Sequence, residues 1–435
     1  MDLTKGNTFK TMIIFSIPFI LSNLLQTFYG MADLFIVGQY NTASSLTGVS
    51  IGSQVMHMIT VMIIALAMSS TIMIGKYVGE NNQIKIKETI INSIILFMTI
   101  SLMITIILLL NLDNIISLML TPKEAIQETT IYLKVCFSAI PIITLYNLLS
   151  AILRGLGNSK QPMYYIAISC LINIILDYIL IGYLNMHALG AALATVIAQT
   201  ISVIIALLTT KLPITLIKPS TTIIKDLLHI GIPICIQDGL IQVSFIIITM
   251  IANSRGIYIS SAVGVVEKII TFFFLVPSSM LSAISAMASQ CLGNKQPLRA
   301  KQTLLYGIMI ALSFGLFFAF VCQIFDKQII SLFTKEVEVI HYGRQYLRAY
   351  VFDCVFAAIS FSFSGYFMAY GYSMISFIHN IISIVLIRVP GAYIASIIYP
   401  ENLFYMGLTP ALGSLLSAII CISIYLCLKK KKIFV

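Results

Sequence analysis

Apolar residues in this chain come in long unbroken runs. They follow neither the alternation of a half-buried strand nor the one-sided spacing of a surface helix. Twelve runs stand out, near 13–36, 47–74, 89–110, 131–153, 162–184, 189–210, 228–252, 259–288, 302–322, 346–369, 375–398 and 405–427. Each holds roughly the 20 apolar residues that a helix needs to cross a bilayer. They are too long and too continuously apolar for barrel strands. The pattern predicts an all-α polytopic membrane protein with twelve transmembrane helices. The first run is not expected to be a cleaved signal, because Pro18, Asn23, Gln26 and Asp33 interrupt it.

The chain also repeats itself at a spacing of 214 residues. Tyr77-Val-Gly79 with Lys85, Lys87 and Thr89 returns as Cys291-Leu-Gly293 with Arg299, Lys301 and Thr303. Ile116-Ser-Leu118 returns as Ile330-Ser-Leu332, Tyr132-Leu-Lys134 as Tyr346-Leu-Arg348, and Gly157 as Gly371. Pro18 matches Pro233 with a one-residue slip. A register held this far predicts two equivalent halves of six spans each. Six is even, so both halves enter the membrane in the same direction and form two parallel six-helix bundles. The expected organisation is an N-terminal lobe at 1–210, a linker at 211–227, a C-terminal lobe at 228–427 and a basic tail at 428–435.

Composition agrees. Hydrophobic residues make up 59% of 435 and charged residues 10%, against about 25% charged in soluble proteins. The net charge of +10 is a matter of topology and not of nucleic-acid binding. Of 26 Lys and Arg residues, 17 fall on one side of the expected spans and seven on the other. Basic loops stay cytoplasmic, which puts both termini and the linker in the cytoplasm of a plasma-membrane protein. The eight cysteines and five histidines are scattered, without metal or redox spacing, and are read as packing residues. No cofactor motif is present, and Gly155-Leu-Gly157 follows no strand, so it is not a nucleotide loop.

The chemistry lies in the charged residues that break the runs. A charge at mid-membrane costs about 2.5–3.5 kcal/mol on insertion scales and marks a functional position by default. The candidates are Asp33, Asp177, Asp238, Glu267, Lys268, Asp353 and Arg388. Asp33 shares a helix face with Tyr29 and Gln26, and Asp177 with Asn173. Thr195 follows a run of small residues, Gly190-Ala-Ala-Leu-Ala194, that permits close helix approach. Two carboxylates, an amide and a hydroxyl could take up a proton or hold a hard cation such as Na⁺. The repeat does not carry this set, since Ile, Ile387 and Gly391 stand opposite Asp33, Asn173 and Asp177. In the second half, Glu267 or Asp353 is expected to pair with Arg388. Asp238, Glu267, Asp353 and Arg388, with Gln26 and Tyr29, are candidates for a polar substrate cavity.

These residues make the chain resemble the multidrug and toxic compound extrusion (MATE) family. The resemblance rests on Phe28-Tyr-Gly-Met-Ala-Asp33-Leu-Phe-Ile-Val-Gly38, Leu153-Arg-Gly-Leu-Gly157-Asn-Ser-Lys160-Gln-Pro162, and Asn173-Ile-Ile-Leu-Asp177 leading to Leu189-Gly-Ala-Ala-Leu-Ala-Thr195. It implies two six-helix bundles and exchange of H⁺ or Na⁺ for organic, mostly cationic and lipophilic compounds. It implies an ion site at Asp33, Asn173, Asp177 and Thr195, a bend of the first helix at Pro18, and a chain closer to archaeal and DinF-like members than to the Na⁺-coupled NorM type. It implies a monomer that meets lipid and small molecules, with no nucleic acid and no enzymatic activity. The alternative is a flippase for lipid-linked oligosaccharides. Such anionic cargo calls for Arg and Lys, whereas five of the seven in-span charges here are acidic.

Overall fold

In the computed structural model, which describes residues 1–210 and 219–434, all regular structure is helical. Eleven helices among these residues are long and apolar enough to cross a membrane. A bent pair, Lys123–Ser138 and Ile140–Gly155, broken by 51° at Ala139, is apolar enough together to make a twelfth. We number the spans α1 (Thr8–Tyr40), α2 (Ala43–Gly79), α3 (Gln83–Leu110), α4 (the bent pair), α5 (Lys160–Tyr183), α6 (His187–Thr209), α7 (Thr221–Asn253), α8 (Ile257–Gly293), α9 (Pro297–Ser331), α10 (Val337–Ala369), α11 (Ser373–Ile398) and α12 (Leu403–Lys430). The expected span near 131–153 is therefore broken, and Pro141, in the first turn after the break, has no N–H to carry a helix across it. Of the expected linker, residues 211–218 lie outside the described residues, and from Thr221 onward the chain is already α7.

The 214-residue repeat holds at the level of single hydrogen bonds. After α2, Asn81 takes φ 54°, and after α8 its counterpart Lys295 takes 55°. After α4, Gly157 takes φ 82°, and after α10 Gly371 takes 83°. At all four ends an amide reaches back five residues to a carbonyl: Asn82 to Tyr77 at 3.0 Å, Gln296 to Cys291 at 2.8 Å, Asn158 to Leu153 at 2.8 Å and Tyr372 to Phe367 at 2.9 Å. A left-handed residue closed by such a bond is the usual way to satisfy a helix's last carbonyls. The side chains that start the next helices differ. Asn82 accepts from the Lys85 amide at 3.1 Å, while α9 begins on Pro297, which has no amide to satisfy.

The chain divides into two compact units, one of Met1 with Ile17–Gly231 and one of Asp2–Ser16 with the residues from Ile232 onward. The divisions fall inside helices, between Ser16 and Ile17 in α1 and between Gly231 and Ile232 in α7, each two residues before a proline, Pro18 or Pro233. Both helices run through their prolines without interruption. A proline cannot donate to the carbonyl four residues back, so each helix has a weak point close to where its packing partners change.

In the second unit, Arg299 donates to the carbonyls of Leu3 at 3.1 Å, Lys5 at 2.7 Å and Gly6 at 2.7 Å, and Leu3 is fully buried. The basic tail is also tied down. Phe434 is 2% exposed, with its ring centre 4.5 Å from that of Tyr370 and 5.5 Å from that of Tyr366. In the first unit, Ala188, Ala191, Ala192 and Ala194 are fully buried, as the small-residue run requires for α6 to pack closely. Gly52 of α2 has the ring of Tyr132 against it, and a Cβ there would stand 2.3 Å from a ring carbon.

Candidate functional site: unpartnered carboxylates of the first unit

The first unit gathers all four residues of the expected ion site. α1 brings Asp33, 6% exposed; α5 brings Asn173 and Asp177, both fully buried; α6 brings Thr195, 8% exposed. The Thr195 hydroxyl donates to Asp33 Oδ2 at 3.5 Å, and Asp177, Asn173 and Thr195 are the side chains that bear on the Asp33 carboxyl. Local structure sets Asp177. It is the last residue of the regular part of α5, and a π-helical turn, Tyr178–Tyr183, begins directly after it. Such turns shift the helix face and recur at functional positions.

Most polar atoms of the cluster lack hydrogen-bond partners, a condition shared in the second unit by Asp353 Oδ2 and Arg388 Nε. Asp33 Oδ1, both carboxyl oxygens of Asp177 and both polar atoms of the Asn173 amide are buried without a hydrogen-bond partner among the described residues. The hydroxyl of Tyr29, one turn before Asp33, is in the same condition. Leaving a buried polar atom unsatisfied costs about 1–3 kcal/mol, and more when it is charged. Five such atoms on three adjacent side chains form a buried polar cluster whose hydrogen bonds are incomplete. The oxygens present suit a proton or a cation: a carboxyl can take the proton, and carboxylate, amide and hydroxyl oxygens are hard ligands for a small cation. Gln26, on the same helix, is half-buried.

The second unit answers with a different arrangement. Arg388 Nη2 lies 3.8 Å from Asp353 Oδ2 and donates to the Tyr350 hydroxyl at 3.1 Å. Its guanidinium sits 4.6 Å from the centre of the Phe245 ring. Ser414 donates to the other oxygen of Asp353. Of the two expected pairings the structure makes Asp353–Arg388. Glu267 instead accepts from Thr249 at 3.2 Å, with Arg388 near enough to act on it by charge. Lys268, beside Glu267 in sequence, is exposed. Asp238 stands apart, accepting from its neighbour Gln237 at 3.4 Å.

Sequence reasoning missed the neutral members of this network, Thr249, Tyr350 and Ser414, since hydroxyls in apolar runs carry no signal of their own. It also missed Asp326, 2% exposed, which pairs with Arg344 at 3.1 Å and with Arg348. The signal was available: α9 runs on to Ser331, well past the apolar run, and an Asp inside it needs a cation. His379 is fully buried, with Ser364 at 2.9 Å on one ring nitrogen and Ser417 at 3.1 Å on the other. It is a hydrogen-bonded packing residue.

Comparison with known proteins agrees with the architecture. The MatE family model matches residues 18–179 and again 233–394, covering both halves of the repeat. The probable multidrug resistance protein YoeA of Bacillus subtilis is 27% identical over 79% of this chain and 77% of its own length. The multidrug export protein MepA of Staphylococcus haemolyticus is 24% identical over 95% of this chain and 91% of its own. A MATE transporter crystallised in its straight conformation superposes with a TM-score of 0.91 over 99% of this chain and 98% of its own, at 24% identity, which speaks to the fold alone. The relatives are transporters and not enzymes. A twofold family match, a twelve-span helical fold and the shared architecture lead to one conclusion: the chain belongs to the MatE family and is a polytopic membrane transporter.

Proposed function

We propose that the chain is a secondary multidrug antiporter that exports organic, mostly cationic and lipophilic compounds in exchange for H⁺ or Na⁺ by alternating access. The observation that carries this reading is the set of unpartnered buried atoms on Asp33, Asn173 and Asp177. An ion or proton that fills the site supplies the missing partners, and emptying the site restores the deficit. An ion can shift a conformational equilibrium only by the difference in its affinity for the two states. Removing an uncompensated carboxylate pair is a large difference of that kind. α1 carries Asp33 on one side of Pro18, and its first turns pack with the second unit on the other side. Bending at Pro18 is the proposed response to occupancy. MATE structures of this fold described as straight and as bent are consistent with such a motion.

The coupling site belongs to the first half in this reading. In the second half Asp353 already has Arg388 as a charge partner at 3.8 Å, which supports placing the coupling site in the first half. The acidic excess among the in-span charges supports cationic cargo. The distribution of Lys and Arg supports cytoplasmic termini in the plasma membrane.

Purified protein in liposomes loaded with tetraphenylphosphonium tests the proposal, with inward H⁺ and Na⁺ gradients imposed separately. Export driven by at least one gradient is expected. Absence of export under both, together with flipping of an anionic lipid-linked pyrophosphate, would reverse the assignment to the flippase alternative.

A further inference from the structure

Beyond the ion site itself, the first unit holds a second group of polar side chains that neither packing nor the site explains. α4 carries Tyr146, Ser150 and Arg154 at four-residue spacing, which aligns them on one face. Tyr146 is 5% exposed and Ser150 4%. Neither hydroxyl completes a hydrogen bond among the described residues, although Ser150 and the Arg154 charge both act on Tyr146. The Oε1 of Gln199, one turn beyond Thr195 on α6, is likewise buried without a partner.

The position of these groups gives them meaning. Tyr146 packs in a cluster with Tyr165 of α5, Val203 and Ala206 of α6 and Leu25 of α1. It therefore packs against the same three helices, α1, α5 and α6, that carry Asp33, Asn173, Asp177 and Thr195. From Asp33 to Phe19 is about 20 Å along α1 at 1.5 Å per residue. From Tyr146 to Arg154 is about 12 Å along α4. The polar atoms thus begin at Gln199, one turn from Thr195, and end at Arg154, in the last turn before α4 gives way to α5. There the guanidinium lies over the ring of Phe19, 4.8 Å from its centre, and Phe19 is the residue directly after Pro18.

Buried, unsatisfied hydroxyl and amide oxygens in a polar setting are where ordered water is found. A fixed positive charge at the end of a polar path repels cations and closes it to them. We propose that Gln199, Tyr146 and Ser150 line a hydrated exit from the Asp33–Asp177 site to the α4–α5 end of the lobe, and that Arg154, held by Phe19, is its electrostatic gate. Bending of α1 at Pro18 moves Phe19, releases the guanidinium and opens the path, so the motion assigned to ion occupancy also controls ion departure. The inference rests on the ion-site reading above and assigns residues that reading leaves idle.

The test separates the two. Protein in liposomes is assayed for passive ion leak with a pH-sensitive or Na⁺-sensitive dye, for equilibrium tetraphenylphosphonium binding, and for displacement of that probe by the coupling ion. Arg154→Gln is expected to raise the leak roughly tenfold, the scale on which a fixed charge alters ion entry. Arg154→Lys, which keeps the charge, is expected to hold the leak near the wild-type level. Tyr146→Phe and Gln199→Leu are expected to slow gradient-driven export roughly tenfold, the rate equivalent of one lost hydrogen bond, while probe binding and its displacement by ion persist. An unchanged leak in Arg154→Gln together with full export by Tyr146→Phe and Gln199→Leu overturns the exit path while leaving the site intact. Ion displacement of the probe that survives in Asp33→Asn overturns the site, and with it this inference.

Discussion

Arg388 stands 3.8 Å from Asp353 in the second unit, whereas in the first, among the described residues, neither Asp33 nor Asp177 makes an ion pair, and three of their carboxyl oxygens have no hydrogen-bond partner. The two halves share turn geometry down to single φ angles and share no charge pattern at membrane depth. The second half carries its counter-ion as a side chain, and in the proposed reading the first must receive one from solution. This asymmetry leads to the first prediction. Arg388→Gln leaves Asp353 buried and unpaired and is expected to destabilise the fold by about 3–5 kcal/mol. The double variant Arg388→Met with Asp353→Leu removes both charges and is expected to recover most of the loss. Thermal unfolding in detergent reads the difference, and a double variant no more stable than the single one would contradict it.

The N-terminal segment gives a second prediction. Arg299 engages the carbonyls of Leu3, Lys5 and Gly6, with the Cys291 thiol also on that of Leu3. Arg299→Ala is expected to release this segment, so that trypsin cuts after Lys5 much faster than in the wild type while the spans stay protected. Mass spectrometry of timed digests gives the rate. An unchanged rate would show that Leu3 burial and the Cys291 contact hold the segment.

The repeated turns give a third. Gly371 has φ 83°, and a Cβ there would meet nothing within 4 Å, so Gly371→Ala is expected to cost only backbone strain, about 1–2 kcal/mol. Lys295, a non-glycine at φ 55° in the equivalent of the Asn81 turn, is already strained. Lys295→Gly is expected to be neutral or to stabilise by up to about 1 kcal/mol. Gly365→Ala is expected to be worse than either, because its Cβ would stand 2.5 Å from the Leu281 carbonyl oxygen. Unfolding midpoints of the three variants rank these effects.

Much of this was legible in the chain. The apolar runs marked the spans, and the 214-residue register paired the stretches that hold the turns, Tyr77–Thr89 with Cys291–Thr303 and Gly157 with Gly371; the left-handed φ at Asn81 and Lys295 was not legible in it. Asp33, Asn173, Asp177 and Thr195 stood out because polar groups in apolar runs are expensive. The break at Ala139 did not stand out, since Pro141 fits a helix's first turn as well as a kink. Nor did the partner of Arg388: both Glu267 and Asp353 were available, and spacing along separate helices cannot rank them. The change of packing partners between Ser16 and Ile17 was equally hidden, because a proline shows where a helix can bend and not which neighbours it leaves. Tyr146 and Ser150 look like ordinary helix residues until their lack of partners is seen.

Gradient-driven export of tetraphenylphosphonium by liposomes carrying Asp33→Asn or Asp177→Asn tests the central claim most directly, with equilibrium binding of the same probe as the control for folding. The account expects probe binding to survive and export to fall at least tenfold in each variant, as losing an interaction made in only one state requires. Full gradient-driven export by either variant would contradict it.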